Sequence, residues 1–287
     1  LNPMKWIART SGRILFLAFA LTCAFSFSLE HAVADISWGF SQSKKIAKEL
    51  YKQNKRSFYC NCQIVYEGAK LSPDVKDCGY MPRNKKTKTG KPNSRAERIE
   101  WEHIVPASLF GETLKCWAEG GRKACRKDPS FKAMEADLHN LVPAIGEING
   151  DRSNFIFSEI MGEERVYGNC DFEVSFPKRL VEPRIGVRGD IARAYFYMSE
   201  QYGLDLAPEQ FELFETWAEQ DPPDKFEKAK NLEIKKIQGV GNRFISEDVK
   251  KSSPIIRSRE LSIEGGLSES AENPTGPSGS VTTLDDL

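Results

Sequence analysis

The spacing of apolar residues predicts three amphipathic helices, and the clearest lies at residues 188–202. Its apolar face is formed by Ile191, Ala194, Tyr195, Met198 and Tyr202. Gly203 follows directly and is placed to end the helix. A second helix is predicted at residues 208–218, with an apolar side formed by Phe211, Phe214 and Trp217. A third is predicted around Ile46, Leu50 and Tyr51, and all three faces favour a buried core.

Shorter segments predict strands and loops between these helices. Residues 59–66 are extended in pattern, and residues 99–105 alternate weakly before Pro106, as a strand running into a turn does. Residues 140–142 are predicted to form a second short strand. Pro143 occupies a tolerated first-turn position of a helix reaching Ser153. Helices and strands together therefore predict a mixed α+β fold.

Two polar stretches interrupt this pattern. Residues 85–94 contain Gly90, Pro92 and several lysines, which predicts a loop. Residues 111–131 are interpreted as a polar insertion pinned by Cys116 and Cys125. Both stretches flank the predicted strand at 99–105, so they are expected to lie near it.

The two ends of the chain differ from the rest. Residues 14–29 are largely apolar after a charged start, and Ala32-Val33-Ala34 is a small-x-small site, so residues 1–34 are predicted to be a cleaved signal peptide. A retained membrane anchor is the alternative, but a span needs roughly 20 apolar residues. Residues 251–287, rich in Ser, Gly, Glu and Pro, are predicted to be a disordered tail. Residues 35–250 then form one domain, periplasmic or secreted, without stable membrane insertion after cleavage.

Six cysteines remain after the leader, and an even number in an exported chain predicts disulfides. Six cysteines allow fifteen pairings, which the sequence does not resolve. Local spacing suggests Cys116–Cys125, and a complete set would add Cys62–Cys78 and Cys60–Cys170. The rival is a zinc site, but the Cys-x-Cys spacing at 60–62 lacks the usual two- to four-residue gap.

A formal net charge of zero conceals an asymmetry along the chain. Residues 35–126 hold 19 Lys and Arg against 10 Asp and Glu, whereas residues 127–250 hold 16 against 24. The densest basic segment consists of Arg83, Lys85, Lys86, Lys88, Lys91, Arg95 and Arg98. Such a segment is typical of a surface for a polyanion, although a merely solvated loop has the same composition.

This basic segment is followed at once by the adjacent residues Glu102 and His103. Neutral imidazole is suited to general-base catalysis near neutral pH. Carboxylate and amide oxygens, here Glu102 and Asn149, suit Mg²⁺ or Ca²⁺ rather than Zn²⁺, and Arg122 could grip a phosphate through its planar fork. Neighbours on a strand point to opposite faces, so Glu102 and His103 can serve one site only where the strand ends or bends. The set suits phosphodiester hydrolysis.

Several blocks of sequence carry a family resemblance. They are Trp101–Ala107, Cys116-Trp117, Gly120–Lys123, Met134–Leu141 and Gly146–Phe155. In order and content the chain resembles the bacterial endonuclease I family from about Ser57 to about Gln238. The resemblance implies a ββα-metal (His-Me finger) nuclease core with surrounding helices, stapled by disulfides.

The resemblance also implies a role for each matching residue. His103 is the general base, Glu102 and Asn149 bind Mg²⁺, which Mn²⁺ or Ca²⁺ could replace, and Arg122 holds the scissile phosphate. Glu135 helps to orient the histidine or a leaving-group water. The implied substrates are double- and single-stranded DNA and also RNA, cut to 5′-phosphates by a monomer. From the basic segment, the expected nucleic-acid contacts are Lys85, Lys86, Lys88, Arg95 and Arg98.

Other polar residues are given structural or open interpretations. His139 is predicted to be a satisfied core histidine and Asp137 a cap for its loop, whereas Arg152 could bond within the fold or meet phosphate. A secreted DNA-capture protein without catalysis is the rival from another class, and the intact set Glu102, His103 and Asn149 argues against it. A metalloprotease would need His-Glu-x-x-His, which the chain lacks.

Overall fold

A computed structural model describes residue 34 and residues 36–162 and 164–246. The helices in this part of the chain are α1 (Phe40–Leu50), α2 (Val75–Cys78), α3 (Ala107–Gly111), α4 (Lys115–Cys125), α5 (Pro129–Ala136), α6 (Gly146–Arg152), α7 (Arg188–Tyr202), α8 (Pro208–Gln220), α9 (Lys225–Gln238) and α10 (Arg243–Ser246). Short 3₁₀ turns lie at Leu138–Asn140 and Ile185–Val187. The predicted leader, apart from Ala34, and the predicted tail lie outside the described residues.

The strands of the described residues form three small sheets. They are β1 (Ile64–Glu67), β2 (Lys70–Pro73), β3 (Ile99–His103), β4 (Leu141–Ile145), β5 (Ile156–Phe157), β6 (Phe172–Ser175) and β7 (Leu180–Pro183). β1 pairs with β2 and β3 with β4, both antiparallel. In the third sheet β7 lies between β5, which runs parallel to it, and the antiparallel β6. The predicted α+β class is therefore correct.

The β3–β4 pair and the helix α6 that follows it form the part of the fold that positions the candidate site. Glu102 of β3 lies opposite Val142 of β4. α6 begins directly after β4 and approaches β3 closely. A Cβ on Gly146 would lie 2.7 Å from Glu100 Oε1, and one on Gly150 would lie 2.3 Å from Arg95 Nη1. Position 146 needs glycine for steric reasons, because a Cβ there would also lie 2.8 Å from the backbone O of Arg95, whereas the atom met at position 150 is the movable end of the Arg95 side chain.

The predicted helices at the C-terminal side have the expected faces. α7 occupies residues 188–202, and Gly203 ends it in the left-handed conformation, with φ of 70°. Its buried Phe196 packs against Phe211 and Phe214 of α8. Trp217 of α8 is fully buried. Burying one such side chain contributes about 1.5–3 kcal/mol, so these aromatic contacts hold the two helices together.

One local prediction is wrong. Pro143 does not begin a helix: it lies in β4, opposite Trp101, and the helix starts three residues later at Gly146. In a two-stranded sheet each strand is an edge, so a residue without an N–H is tolerated. The fixed φ of proline fits both an edge strand and a first helical turn, and the sequence pattern alone did not separate them.

The segment predicted as a polar insertion is largely helical. It contains the last residue of α3, all of α4 and the start of α5, and the Asp128 side chain caps α5 by accepting from Phe131 N at 3.0 Å. A cap of this kind contributes about 1 kcal/mol.

The structure has disulfides at Cys60–Cys170, Cys62–Cys78 and Cys116–Cys125, the three pairs suggested above. Among the described residues, no helix has the length and apolar character needed to cross a membrane.

Candidate active site

The strand β3 ends at His103 because a side chain takes over the hydrogen bonds of the backbone that follows. Asn140 Oδ1 accepts from Val105 N at 2.7 Å, and Asn140 Nδ2 donates to Val105 O at 2.9 Å. This two-way bond clamps the chain directly after the strand. The strand therefore ends directly after Glu102 and His103, although the two side chains still point to opposite sides of it.

His103 has one ring nitrogen fixed and is buried, with 7% of its surface exposed. Its Nε2 lies 2.8 Å from Glu135 O. A carbonyl oxygen only accepts, so Nε2 carries the proton and Nδ1 is left as the acceptor. Burial, with a smaller effect of Arg122, lowers the pKa of His103 to about 4. The ring is therefore neutral at neutral pH, as a general base must be.

Glu135 joins His103 to Arg122. Its carbonyl accepts from His103, and its carboxylate accepts from Arg122 Nε at 2.8 Å. The Arg122 side chain remains 43% exposed, and its guanidinium lies 5.7 Å from the Phe40 ring centroid. The three residues predicted to be catalytic are thus brought together, with Arg122 on the solvent side.

Arg122 owes its position to two irregular features of α4. The helix is interrupted at Gly120 and Gly121, and Gly121 adopts φ of 60°, a conformation that favours glycine. The disulfide Cys116–Cys125 closes the same segment across the break. The break redirects the chain immediately before Arg122, and the disulfide holds the redirected turn.

Glu102 faces the opposite side of β3, toward α6. Tyr59 OH donates to Glu102 Oε1 at 3.0 Å, and Arg152 Nη1 lies 3.4 Å from the same oxygen. Burial raises the pKa of Glu102 to about 7, against the opposing effect of Arg152. A second cation would favour the ionised form of such a carboxylate.

Asn149 lies on the face of α6 that meets β3. Its Nδ2 donates to Glu100 Oε2 at 3.2 Å, which leaves the amide oxygen as a donor atom for a cation. Glu100 and Glu102 are two residues apart on the strand, and Asn149 and Arg152 are three apart on the helix, so each pair shares a face. Asn149 contacts Glu100 just as Arg152 contacts Glu102, and the two predicted ligands therefore belong to one β3–α6 interface.

The donor set at this interface fits a hard divalent cation. Glu102 and Asn149 offer oxygen atoms, and Mg²⁺ commonly takes one or two protein oxygens and keeps several waters. In the described part of the chain, no group of three or more His, Cys, Asp or Glu residues is arranged to hold a metal. An oxygen site of this kind, completed by water, is the arrangement that the residues can support.

Glu100 is a neighbour of the site that the sequence reasoning did not single out. It accepts from Arg95 Nε at 3.0 Å and from Arg98 Nε at 2.8 Å, in addition to Asn149. Burial alone would raise the pKa of Glu100, but the bonds from the two arginines outweigh it and lower the pKa. The signal in the sequence was its position two residues before Glu102, which places both on one strand face.

Arg152, whose role was open, bonds within the fold. Its side chain is 1% exposed, and its Nη1 donates to His103 O at 3.1 Å. Nη2 donates to Ile104 O. Arg152 therefore supports the backbone of the site residues and does not reach the surface.

The carboxylate of Glu147 in α6 anchors the start of the basic segment. Glu147 accepts from Arg83 N and Asn84 N, both at 3.0 Å, and from Tyr80 OH at 2.7 Å. The exposed side chains of this segment include Lys85, Lys86 and Lys88. Arg95 and Arg98 bond to Glu100 but keep side-chain exposures of 42% and 48%. Arg95 and Arg98 thus lie beside Glu100, which also bonds Asn149.

The interpretations of His139 and Asp137 as structural residues agree with their contacts. His139 is buried, and its Nε2 lies 3.3 Å from Val240 O. Asp137 caps the 3₁₀ turn by accepting from His139 N at 2.9 Å, and it also accepts from Tyr197 OH and Tyr202 OH. These bonds join the turn to α7.

Comparison with known proteins gives one consistent result. The family model described as Endonuclease I matches residues 40–248. The chain is 49% identical over 217 residues to an extracellular deoxyribonuclease of Aeromonas hydrophila, covering 75% of this chain and 91% of that protein. It is 47% identical over 232 residues to a periplasmic deoxyribonuclease of the same organism, covering 80% and 94%. It is 43% identical over 206 residues to Endonuclease-1 of Buchnera aphidicola, covering 72% and 80%. The chain belongs to the endonuclease I family.

Proposed function

We propose that this protein is an exported, Mg²⁺-dependent endonuclease that hydrolyses DNA, and also RNA, without sequence specificity. The observation that carries the proposal is the arrangement around His103: a neutral imidazole with Nδ1 as acceptor, joined through Glu135 to the exposed Arg122. The oxygen donors Glu102 and Asn149 lie across the strand from it. The deoxyribonuclease names of the relatives support DNA as substrate.

The β3–β4 pair with α6 corresponds in this proposal to a ββα-metal core. Glu102 and Asn149 would hold one Mg²⁺, with water in the remaining positions, and Mn²⁺ or Ca²⁺ could take its place. When bound, the ion supplies positive charge to the phosphate and to the departing 3′ oxygen. Glu100 holds the amide nitrogen of Asn149, and this contact turns the amide oxygen away from Glu100.

The remaining residues act on the water and on the phosphate. His103 Nδ1 accepts the proton of the attacking water, because the bond from Nε2 to Glu135 O fixes the tautomer and the ring plane. Arg122 contacts a phosphate oxygen with the guanidinium nitrogens that Glu135 does not occupy. Water attacks phosphorus, the bond to the 3′ oxygen breaks and that oxygen takes a proton from a second water, so the products carry a 5′-phosphate and a 3′-hydroxyl.

Export is proposed from two observations. Some relatives are named extracellular and others periplasmic deoxyribonucleases. The three disulfides fit an oxidising compartment, where such bonds persist. We propose that the mature protein acts there as a monomer, after removal of residues 1–34.

The test is digestion of supercoiled plasmid, single-stranded DNA and RNA, each in Mg²⁺ and in EDTA. We expect cleavage of all three in Mg²⁺, none in EDTA, and 5′-phosphates at the new ends. Binding of DNA without cleavage in Mg²⁺, Mn²⁺ or Ca²⁺ would instead favour a DNA-capture protein and overturn the proposal.

A further inference from the structure

The turn between β6 and β7, residues 176–179, is an exposed surface that the proposed chemistry does not use. We call it the hairpin tip. Phe176 is 41% exposed, and Lys178 and Arg179 are also exposed. An exposed aromatic ring beside two cations on one turn is the combination with which proteins contact single-stranded nucleic acid.

Phe176 belongs to an alternating stack of cations and rings. The Arg83 guanidinium lies 4.5 Å from the Phe176 ring centroid. The Phe155 ring lies 6.0 Å from that of Phe176, edge to face, and the Arg179 guanidinium lies 4.9 Å from the Phe155 centroid. Cation–π and edge-to-face contacts of this kind fix the orientation of a ring, so Phe176 is held in place although it is exposed.

The backbone beside this stack adopts the left-handed conformation at two residues. Ser153 has φ of 52° and Arg179 has φ of 57°, and neither is glycine. Arg179 O accepts from Ile156 N at 3.0 Å, and the Arg179 side chain donates to Asn154 Oδ1. Left-handed backbone in such residues costs about 1–3 kcal/mol and persists where surrounding contacts enforce it, commonly at ligand sites.

The hairpin tip is tied to the candidate active site through α6. Asp151 accepts from Arg83 Nε at 3.1 Å and from Arg83 Nη2 at 2.9 Å. Asp151 follows Asn149 by two residues on the same short helix, so the two side chains project from different sides of it. Arg83 also begins the basic segment. One helix therefore fixes a predicted metal ligand, the basic segment and the guanidinium beside Phe176.

We propose that the hairpin tip is a base-contact site for single-stranded nucleic acid. An unpaired base stacks on the exposed face of Phe176, and Arg179 and Lys178 contact the neighbouring phosphates. The cations that flank the ring favour a polyanion as the occupant. Every base can stack on an aromatic ring, so this contact does not depend on the nucleotide sequence. The inference rests on the proposed function, since it supplies a contact for the strand that the nuclease cuts.

The test is binding of a fluorescein-labelled 12-nucleotide oligo-dT and of an abasic strand of equal length, measured by fluorescence anisotropy in EDTA. The protein is full-length and oxidised. Stacking of one base is worth about 1–3 kcal/mol by alanine substitution, so Phe176→Leu should weaken oligo-dT binding about tenfold. It should leave abasic binding unchanged, because the phosphate contacts remain. Phe176→Trp should bind oligo-dT at least as tightly as the wild type.

Leu232→Ala is the matched control, because Leu232 is an exposed apolar residue of α9, with 61% exposure, and should change neither affinity. The proposal would be overturned if Phe176→Leu weakened binding of both strands equally or of neither. It would also be overturned if Phe176→Trp lost affinity for oligo-dT. Plasmid cleavage by the wild type in Mg²⁺ is measured alongside. Selective binding with no cleavage by the wild type would count against the nuclease function and leave the base-contact site standing.

Discussion

His103 and His139 lie in two regions of the molecule and have closely similar immediate surroundings. Both are buried, with 7% and 5% exposure. Both have Nε2 beside a backbone carbonyl, at 2.8 Å and 3.3 Å. Burial lowers the pKa of each to about 4. By these measures the two rings are equivalent.

The residues around the two histidines differ in charge and in exposure to solvent. His103 ends a strand beside the exposed cation Arg122, with Glu102 on the opposite strand face. His139 packs against the Tyr197 ring at 4.5 Å and belongs to the turn that Asp137 ties to α7. Burial and a shifted pKa therefore do not identify a catalytic histidine. What distinguishes His103 is its position between the exposed cation Arg122 and the strand that carries the oxygen donor Glu102.

The contrast is tested most strongly by removing each ring. His103→Ala should lower kcat on plasmid by about 10²–10⁴-fold, the usual contribution of a general base. His139→Ala should keep the rate per folded molecule and lower the thermal midpoint, because a buried packing group is lost. Steady-state rates and thermal melts of both variants are the measurements. Near-wild-type cleavage by His103→Ala would falsify the assignment of the base.

The next largest effect should come from the cation beside His103. Arg122→Lys keeps the charge but loses the planar guanidinium. The lysine therefore cannot keep both the hydrogen bond to Glu135 and the hydrogen bond to phosphate. Hydrogen bonds to charged groups contribute about 1.5–3 kcal/mol, which predicts a fall in kcat of about 10- to 100-fold. Lys123→Ala, at the exposed neighbouring position, is the control and should change the rate less than twofold. Equal effects of both variants would mean that only general charge matters.

A smaller effect is expected from Glu100 on the other face of β3. Glu100→Gln weakens the contact that orients the Asn149 amide, and such supporting contacts typically contribute about 10–100-fold to metal affinity. The Mg²⁺ concentration for half-maximal cleavage should rise about tenfold, with recovery at saturating Mg²⁺. Calorimetric titration of Mn²⁺ without DNA should show the same shift. The exposed Glu97→Gln is the control, and a loss of rate that Mg²⁺ does not restore would count against the positioning role.

The smallest effect on catalysis is expected from the exposed basic segment. Changing Lys85, Lys86 and Lys88 together to alanine should weaken DNA binding uniformly across sequences. It should also reduce the slope of log affinity against log salt by about one per lysine. The rate at saturating DNA should stay within about twofold, because none of these side chains contacts His103 or its partners. An unchanged salt slope would remove this loop from the nucleic-acid surface.

Parts of the fold were predictable from the sequence where local pattern and packing agree. α7 was predicted with its exact bounds, because its apolar spacing and Gly203 both act within one helix. β3 was predicted from alternation and Pro106. Pro143 was misplaced because its restricted φ suits two structures and only pairing with β3 selects one. The helices at 115–125 and 129–136 were missed because both are short and polar, and because Gly120 and Gly121 break the first while Pro129 begins the second.

The sequence by itself determined which chemical groups are available: an imidazole, oxygen donors, an arginine between two cysteines and a basic segment, in the order of the endonuclease I family. Only the tertiary structure decided how they relate. It placed Arg152 inside the fold, made Glu100 the partner of Asn149, and fixed the His103 tautomer through the carbonyl of Glu135. The physical reason is that hydrogen bonds between residues 32 to 49 positions apart depend on how strands and helices pack. The spacing of residues along the chain does not specify that packing.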